Sequence, residues 1–206
     1  MAVVAVGSAL VLAFAVGRFS ASGGPPTIVA EPNRADVGFA RDMQVHHAQA
    51  VEMAMISYRD TTDDELRVLA YDIATAQAGQ RGEMFGWLVS WGRPQAGEPL
   101  MTWMGDADTG QHHGSSGSET TADREAAMGM ATSEEIAQLQ QARGDAQDCL
   151  FLDLMIRHHR GAIEMSDAVV ELGADPRLLD TAKQISQNQS AEIAAMTDLQ
   201  KRLNCG

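Results

Sequence analysis

At 206 residues the chain has the length of one ordinary domain with extensions, enough to bury a real core. Aromatics make up only 5% of it while Ala, Leu and Met are frequent, which favours packed helices over a sandwich or barrel. A formal net charge of −13 excludes the basic footprint of a nucleic-acid-binding surface, so no nucleic-acid partner is expected.

Residues 1–19 open with a nearly unbroken apolar run that ends at Arg18. Sixteen helical residues reach about 24 Å, short of a hydrocarbon core of ~30 Å. The run resembles the apolar region of a signal peptide, although positive residues ahead of it are missing. It reads as a signal anchor or signal peptide, which implies contact with the membrane and an extracytoplasmic chain, anchored or secreted. Residues 20–35 hold two Gly and three Pro and read as a flexible linker.

Residues 36–92 form the first predicted αα-hairpin. Its first helix runs from about Asp36 to Arg59, with Phe39, Met43, His46, Ala50 and Met53 within about 40° of one line and Glu52 roughly 140° away. The sequence Thr62-Asp-Asp-Glu65 is a capping box that opens the second helix, whose apolar stripe contains one polar member, Gln77. Residues 93–131, rich in Gly, Ser and acids, read as a flexible loop. Its Met101, Met104, His112, His113, Met128 and Met130 place soft donors where they could collect Cu(I) at exposed positions; the plainer reading is a solvated linker.

Residues 132–148 supply a short connecting helix capped by Thr132. Residues 149–206 form a second hairpin, with its first helix beginning at Cys149 and its second opened by Asp175-Pro176. The two hairpins align without gaps at an offset of 112 residues, so Gln77 matches Gln189. Two repeated αα-hairpins, each unable to bury its apolar face alone, predict an all-α four-helix bundle. Cys149 and Cys205 fall at neighbouring ends of the second hairpin and predict a disulfide in an oxidising compartment, against a thiolate metal pair as the rival.

All six histidines occur in adjacent pairs, and two of these pairs sit in the repeated helix. Met43, His46, His47 and Met53 recur as Met155, His158, His159 and Met165. A lone histidine on an apolar stripe is usually a hydrogen-bonded core residue. Four imidazoles brought together with four thioethers are instead a soft-to-borderline donor set, suited to Cu(I), Ag(I) or Cu(II) rather than Mg²⁺ or Ca²⁺. Glu52 and Glu164 are expected to support the ligands from behind, with Gln77 and Gln189 at inward positions on the neighbouring helices. Free imidazole titrates near 6.5, which sets the expected acid limit of such a site.

The repeated Met-x-x-His-His-x-x-Ala-[Val/Ile]-Glu-Met, closest in residues 151–165, resembles the family of the domain of unknown function 305, and Met128-Gly-Met130 fits the same pattern. The resemblance spans about residues 36–205. It implies a ferritin-like four-helix bundle, exported or anchored, with relatives linked to copper or silver handling, and it points at the same eight Met and His residues. The first copy departs from it, with Asp42-Met-Gln-Val45 in place of Leu-Met-Ile-Arg.

A ferritin-like fold invites a di-iron oxidase reading, which the residues oppose: no Glu is followed by His three residues later. Hydrolase and phosphate-loop motifs are absent as well. The sequence therefore reads as a non-enzyme that binds copper or silver for buffering or resistance. The alternatives are a structural or partner-binding bundle with a histidine-rich core, and a metal-dependent redox enzyme at the same site. Metal ions are the expected partners, and a homo-oligomer is compatible with the pattern.

Overall fold

Three of the four long helices begin where a short polar side chain takes up unpaired N–H groups of the first turn. The computed structural model describes residues 31–104 and 120–205. In it Asn33 and Asp36 form a reciprocal capping box for α1 (Arg34–Asp60). Asp63, one residue beyond the Thr62 cap expected from sequence, accepts from the Leu66 amide and opens α2 (Asp64–Ser90). Thr120 and Thr132 cap the short α3 (Thr121–Ala127) and α4 (Ser133–Gln141). The third long helix, α5 (Asp145–Leu172), starts a turn before Cys149, and Asp175 with Pro176 opens α6 (Pro176–Arg202) as expected. Among the described residues all six elements are helices, and none is long and apolar enough to cross a membrane. The expected anchor or signal segment, residues 1–19, lies outside the described residues, as do His112 and His113.

Helix α1 packs on α2, α5 packs on α6, and the two hairpins join through α1 and α5 into a helical bundle. The central pair runs antiparallel, and its two ends are tied by related carboxylates. Asp36, fully buried at the start of α1, accepts from the amides of Ala174 and Asp175 after the end of α5. Asp148, 112 residues on at the start of α5, accepts from the Thr61 hydroxyl after the end of α1 at 3.0 Å. A disulfide joins Cys149 to Cys205 with Cα atoms 5.3 Å apart, closing the second hairpin as predicted. Cross-linking 56 residues stabilises the fold by roughly 4 kcal/mol on the loop-entropy model.

Where described, the segment 93–131, expected to be a flexible loop, holds the short helix α3 and buries Trp103 and residues 128–131, while its other described residues are half-buried or exposed. Trp103 is buried, donates its indole N–H to Asp42 at 2.9 Å and meets Phe39 edge-on at 6.1 Å. The Met101 amide donates to the same carboxylate oxygen. Burial pushes the Asp42 carboxyl up to about 6 against the pull of these two donors. Met128 and Met130 are buried rather than displayed. Burying these apolar side chains removes their surface from water.

The apolar core falls into two clusters. One joins Met53, Ile56, Ile73, Phe151, Met155 and Met196; the other joins Phe39, Met43, Met84, Met165, Val169 and Ile185. Between them, along every long helix, lie the polar residues: His46 and His47 on α1, Gln77 on α2, His158 and His159 on α5, Gln189 on α6. A buried polar layer thus divides the bundle at mid-height.

Candidate metal-binding layer

All four histidines of the layer are fully buried. The helix repeat brings His46 and His158 to the α1–α5 crossing, where their rings stack with centroids 3.6 Å apart and planes inclined by 31°. His47 and His159 turn away from the crossing, with centroids 6.2 and 6.5 Å from their sequence neighbours. They are as buried as the central pair because the second helix of each hairpin covers them.

Each ring is anchored through Nε2. His46 pairs with the Met128 carbonyl at 2.9 Å, and His158 with the His46 carbonyl at 3.1 Å. A carbonyl only accepts, so both Nε2 atoms carry the proton. His47 Nε2 lies 2.7 Å from Gln80 Oε1, and His159 Nε2 lies 2.7 Å from Glu192 Oε2. Gln80 and Glu192 each follow their histidine by 33 residues. Comparing the repeats for identical residues passes over this pair because the two types differ; the shared offset, one turn beyond Gln77 and Gln189, was the available signal.

With Nε2 protonated, every Nδ1 carries a lone pair, and none of the four Nδ1 atoms has a hydrogen-bond partner. The amide nitrogen and oxygen of both Gln77 and Gln189 are also buried without partners. Leaving such a group unpaired costs about 1–3 kcal/mol, so the layer is the least satisfied part of the core. Burial, the largest cause, together with the neighbouring imidazoles holds His46 down at about 4 and His47 at about 3, and His158 well below the free value. These three rings therefore stay neutral far below the 6.5 expected from free histidine, and neutral imidazole is the form that binds metal. An N–H fixed to a carbonyl or carboxylate, with the other nitrogen open, is how metal-binding histidines are oriented.

The donor set fits a soft cation, with one qualification from geometry. Among the described residues no three His, Cys, Asp or Glu side chains come together as a metal-holding group, so the four imidazoles do not converge on one point. Met43 and Met165 border the layer on one side, Met53 and Met155 on the other, all fully buried. Glu52 and Glu164 are exposed and take no part in the layer, because their angular position turns them outward. A surface cleft of about 340 Å³ near the start of α1, bordered by Arg34, Arg41, Asp42 and Trp103, is lined by none of the four histidines.

The segment that gives His46 its acceptor is held by two related positions. Gln49 exchanges two hydrogen bonds with the Ala131 backbone, at 2.8 and 2.7 Å. Its counterpart in the second repeat is Gly161, where a Cβ would collide with the Met128 carbonyl. Gly129, at φ +71°, makes the turn against the Arg157 carbonyl that a side chain would obstruct.

Solved structures of similar proteins share this architecture. A presumed secreted DUF305 protein from Streptomyces coelicolor is 40% identical with a TM-score of 0.72, covering 83% of this chain and 93% of its own. A DUF305 fragment from Deinococcus radiodurans is 30% identical with a TM-score of 0.68, covering 82% and 97%. CopM in its Cu(II)-bound form is 26% identical with a TM-score of 0.61, covering 81% and 96%; CopM is also known in Cu(I)- and Ag-bound forms. No curated protein matches the chain. The model of the family called domain of unknown function (DUF305) matches residues 36–200, and the chain belongs to that family.

Proposed function

We propose that this protein binds copper or silver outside the cytoplasm and acts in metal buffering or resistance. The observation that carries the reading is the set of four buried imidazoles whose Nδ1 atoms have no partner while every Nε2 is anchored. The metal is cargo. His46, His47, His158 and His159 would supply nitrogen, and Met43, Met53, Met155 and Met165 thioether sulfur, a combination that selects Cu(I) and Ag(I) over hard cations. Gln80 and Glu192 orient the outer rings, and the Gln77 and Gln189 amides offer further polar support inside the layer. The copper- and silver-bound forms of CopM support the reading.

The Cys149–Cys205 disulfide favours an oxidising location, and anchoring or export through residues 1–19 belongs to the same reading. The ferritin-like class does too, without di-iron chemistry, since Gln77 and Gln189 stand inward where bridging carboxylates would be needed.

The test is a Cu(I) competition titration of the purified chain beside the His46→Ala/His158→Ala variant. The wild type should bind at least ten-fold tighter, and equal affinities would remove the layer as a copper site. A second reading, a structural bundle whose histidines only hydrogen-bond internally, is favoured by the lack of a converged three-residue group. It expects no change in Tm with metal. A cargo site at a hundred times its Kd should stabilise the fold by about 2.7 kcal/mol.

A further inference from the structure

Helix α2 carries an apolar face on which, among the described residues, nothing packs. Val68, Tyr71, Phe85 and Val89 are 61, 50, 51 and 60% exposed. They lie on one stripe at spacings of three and four, completed by the exposed small residues Thr75, Ala78, Gly79, Gly82 and Gly86. A Cβ added at Gly79, Gly82 or Gly86 would meet nothing within 4 Å. Nothing among the described residues requires these glycines, and each costs helix stability relative to alanine.

The second repeat provides an internal control. The related positions of α6 are Asp180, Lys183, Gln187, Ser190, Ala191, Ala194, Thr197, Asp198 and Lys201. That face is solvated and laced by the pairs Lys183–Asp180 at 3.6 Å and Lys201–Asp198 at 2.9 Å. Two helices with matching inward faces thus differ sharply outside. The apolar and glycine content of α2 is a property of that face and is not demanded by the fold.

The stripe is also self-complementary. Bulky residues stand at both ends and small ones at the centre, so turning a second copy end for end sets Val68 against Val89, Thr75 against Gly82, and Ala78 against Gly79. Tyr71 then reaches the space beside Gly86. No stripe position is charged, and the acidic start of α2, Asp64 and Glu65, comes to the far end of the other helix, which Arg93 follows. We infer that α2 is the dimerisation helix of this protein, packing antiparallel on α2 of a second copy about a two-fold axis near Gly79. Small residues at the axis let the backbones approach closely, and an isologous two-fold contact closes on itself. The stripe is about 32 Å long, so the helix pair alone lies at the small end of specific interfaces, and the dimer should depend on concentration.

The experiment is sedimentation velocity on the full chain across a hundred-fold concentration range, with Gly79→Glu and Ala191→Glu in parallel. The wild type should shift from monomer to dimer. Gly79→Glu should weaken the dimer at least ten-fold, with helical content and Tm not lowered, because the added side chain points into open space. Ala191→Glu, the same change at the related position of α6, should dimerise like the wild type. A wild type that stays monomeric, a dimer indifferent to Gly79→Glu, or equal weakening by both variants would overturn the inference.

Discussion

In the first hairpin the outer histidine, His47, is held by a neutral carboxamide, Gln80; in the second, His159 is held by a carboxylate, Glu192. The start of α1 is fastened by a buried aspartate that accepts from two loop amides and from Asn33, whereas the start of α5 is fastened by one that accepts from a single hydroxyl. The second hairpin carries the disulfide instead. A common skeleton is thus secured by different means at related places. The difference teaches that the repeated stripe specifies helix pairing, while electrostatics and fastening are set position by position.

Acid is the strongest way to test the layer, and it bears on the first repeat. The folded values of His46 and His47, about 4 and about 3, lie below the 6.5 of an unfolded chain. The unfolded state therefore takes up protons first, so their contribution is complete above 6.5 and is lost as pH falls toward the folded values. For His46 alone that loss amounts to ~3 kcal/mol. Asp42 works the other way: its folded value of about 6 exceeds the unfolded 3.8, so it stabilises at low pH and offsets part of the loss between 6 and 3.8. Urea denaturation at steps from pH 7 to 4 should show a net fall in stability, smaller in a His47→Leu chain; a flat profile would contradict buried neutral rings.

Next comes the pair of fastening aspartates. Asp36→Ala strips partners from the Ala174 and Asp175 amides and breaks the capping box, and should cost about 3 kcal/mol by denaturant titration. Asp148→Ala removes a carboxylate whose pKa burial already raises and leaves only the Thr61 hydroxyl without its acceptor, and should cost about 1 kcal/mol. Equal losses would mean that the two ends are fastened alike after all.

The smallest effect comes from making the repeats match. Glu192→Gln turns the charge-assisted bond to His159 into a neutral one like that of His47, a loss of about 1 kcal/mol, with the reverse change Gln80→Glu gaining a similar amount. Paired unfolding curves check both. A gain from Glu192→Gln would show that the carboxylate is a burden to the apo fold.

The sequence by itself determined the long helices, the pairing of the hairpins, the disulfide and the inward stripe that contains Met43, His46, Met155 and His158, while the short α3 lies hidden in a stretch that reads as loop. Period and offset fix the angular position of a side chain on its helix, and that is enough to say which residues are buried. Angular position also explains the exposure of Glu52 and Glu164, which the motif alone had drawn into the site. The tertiary structure alone decided how the imidazoles are used. Whether His46 meets a carbonyl 82 residues away, or His159 a carboxylate on the next helix, depends on how separate helices and a pinned segment settle against one another. Those contacts fix which nitrogen keeps its proton, and therefore which lone pairs are left facing the core.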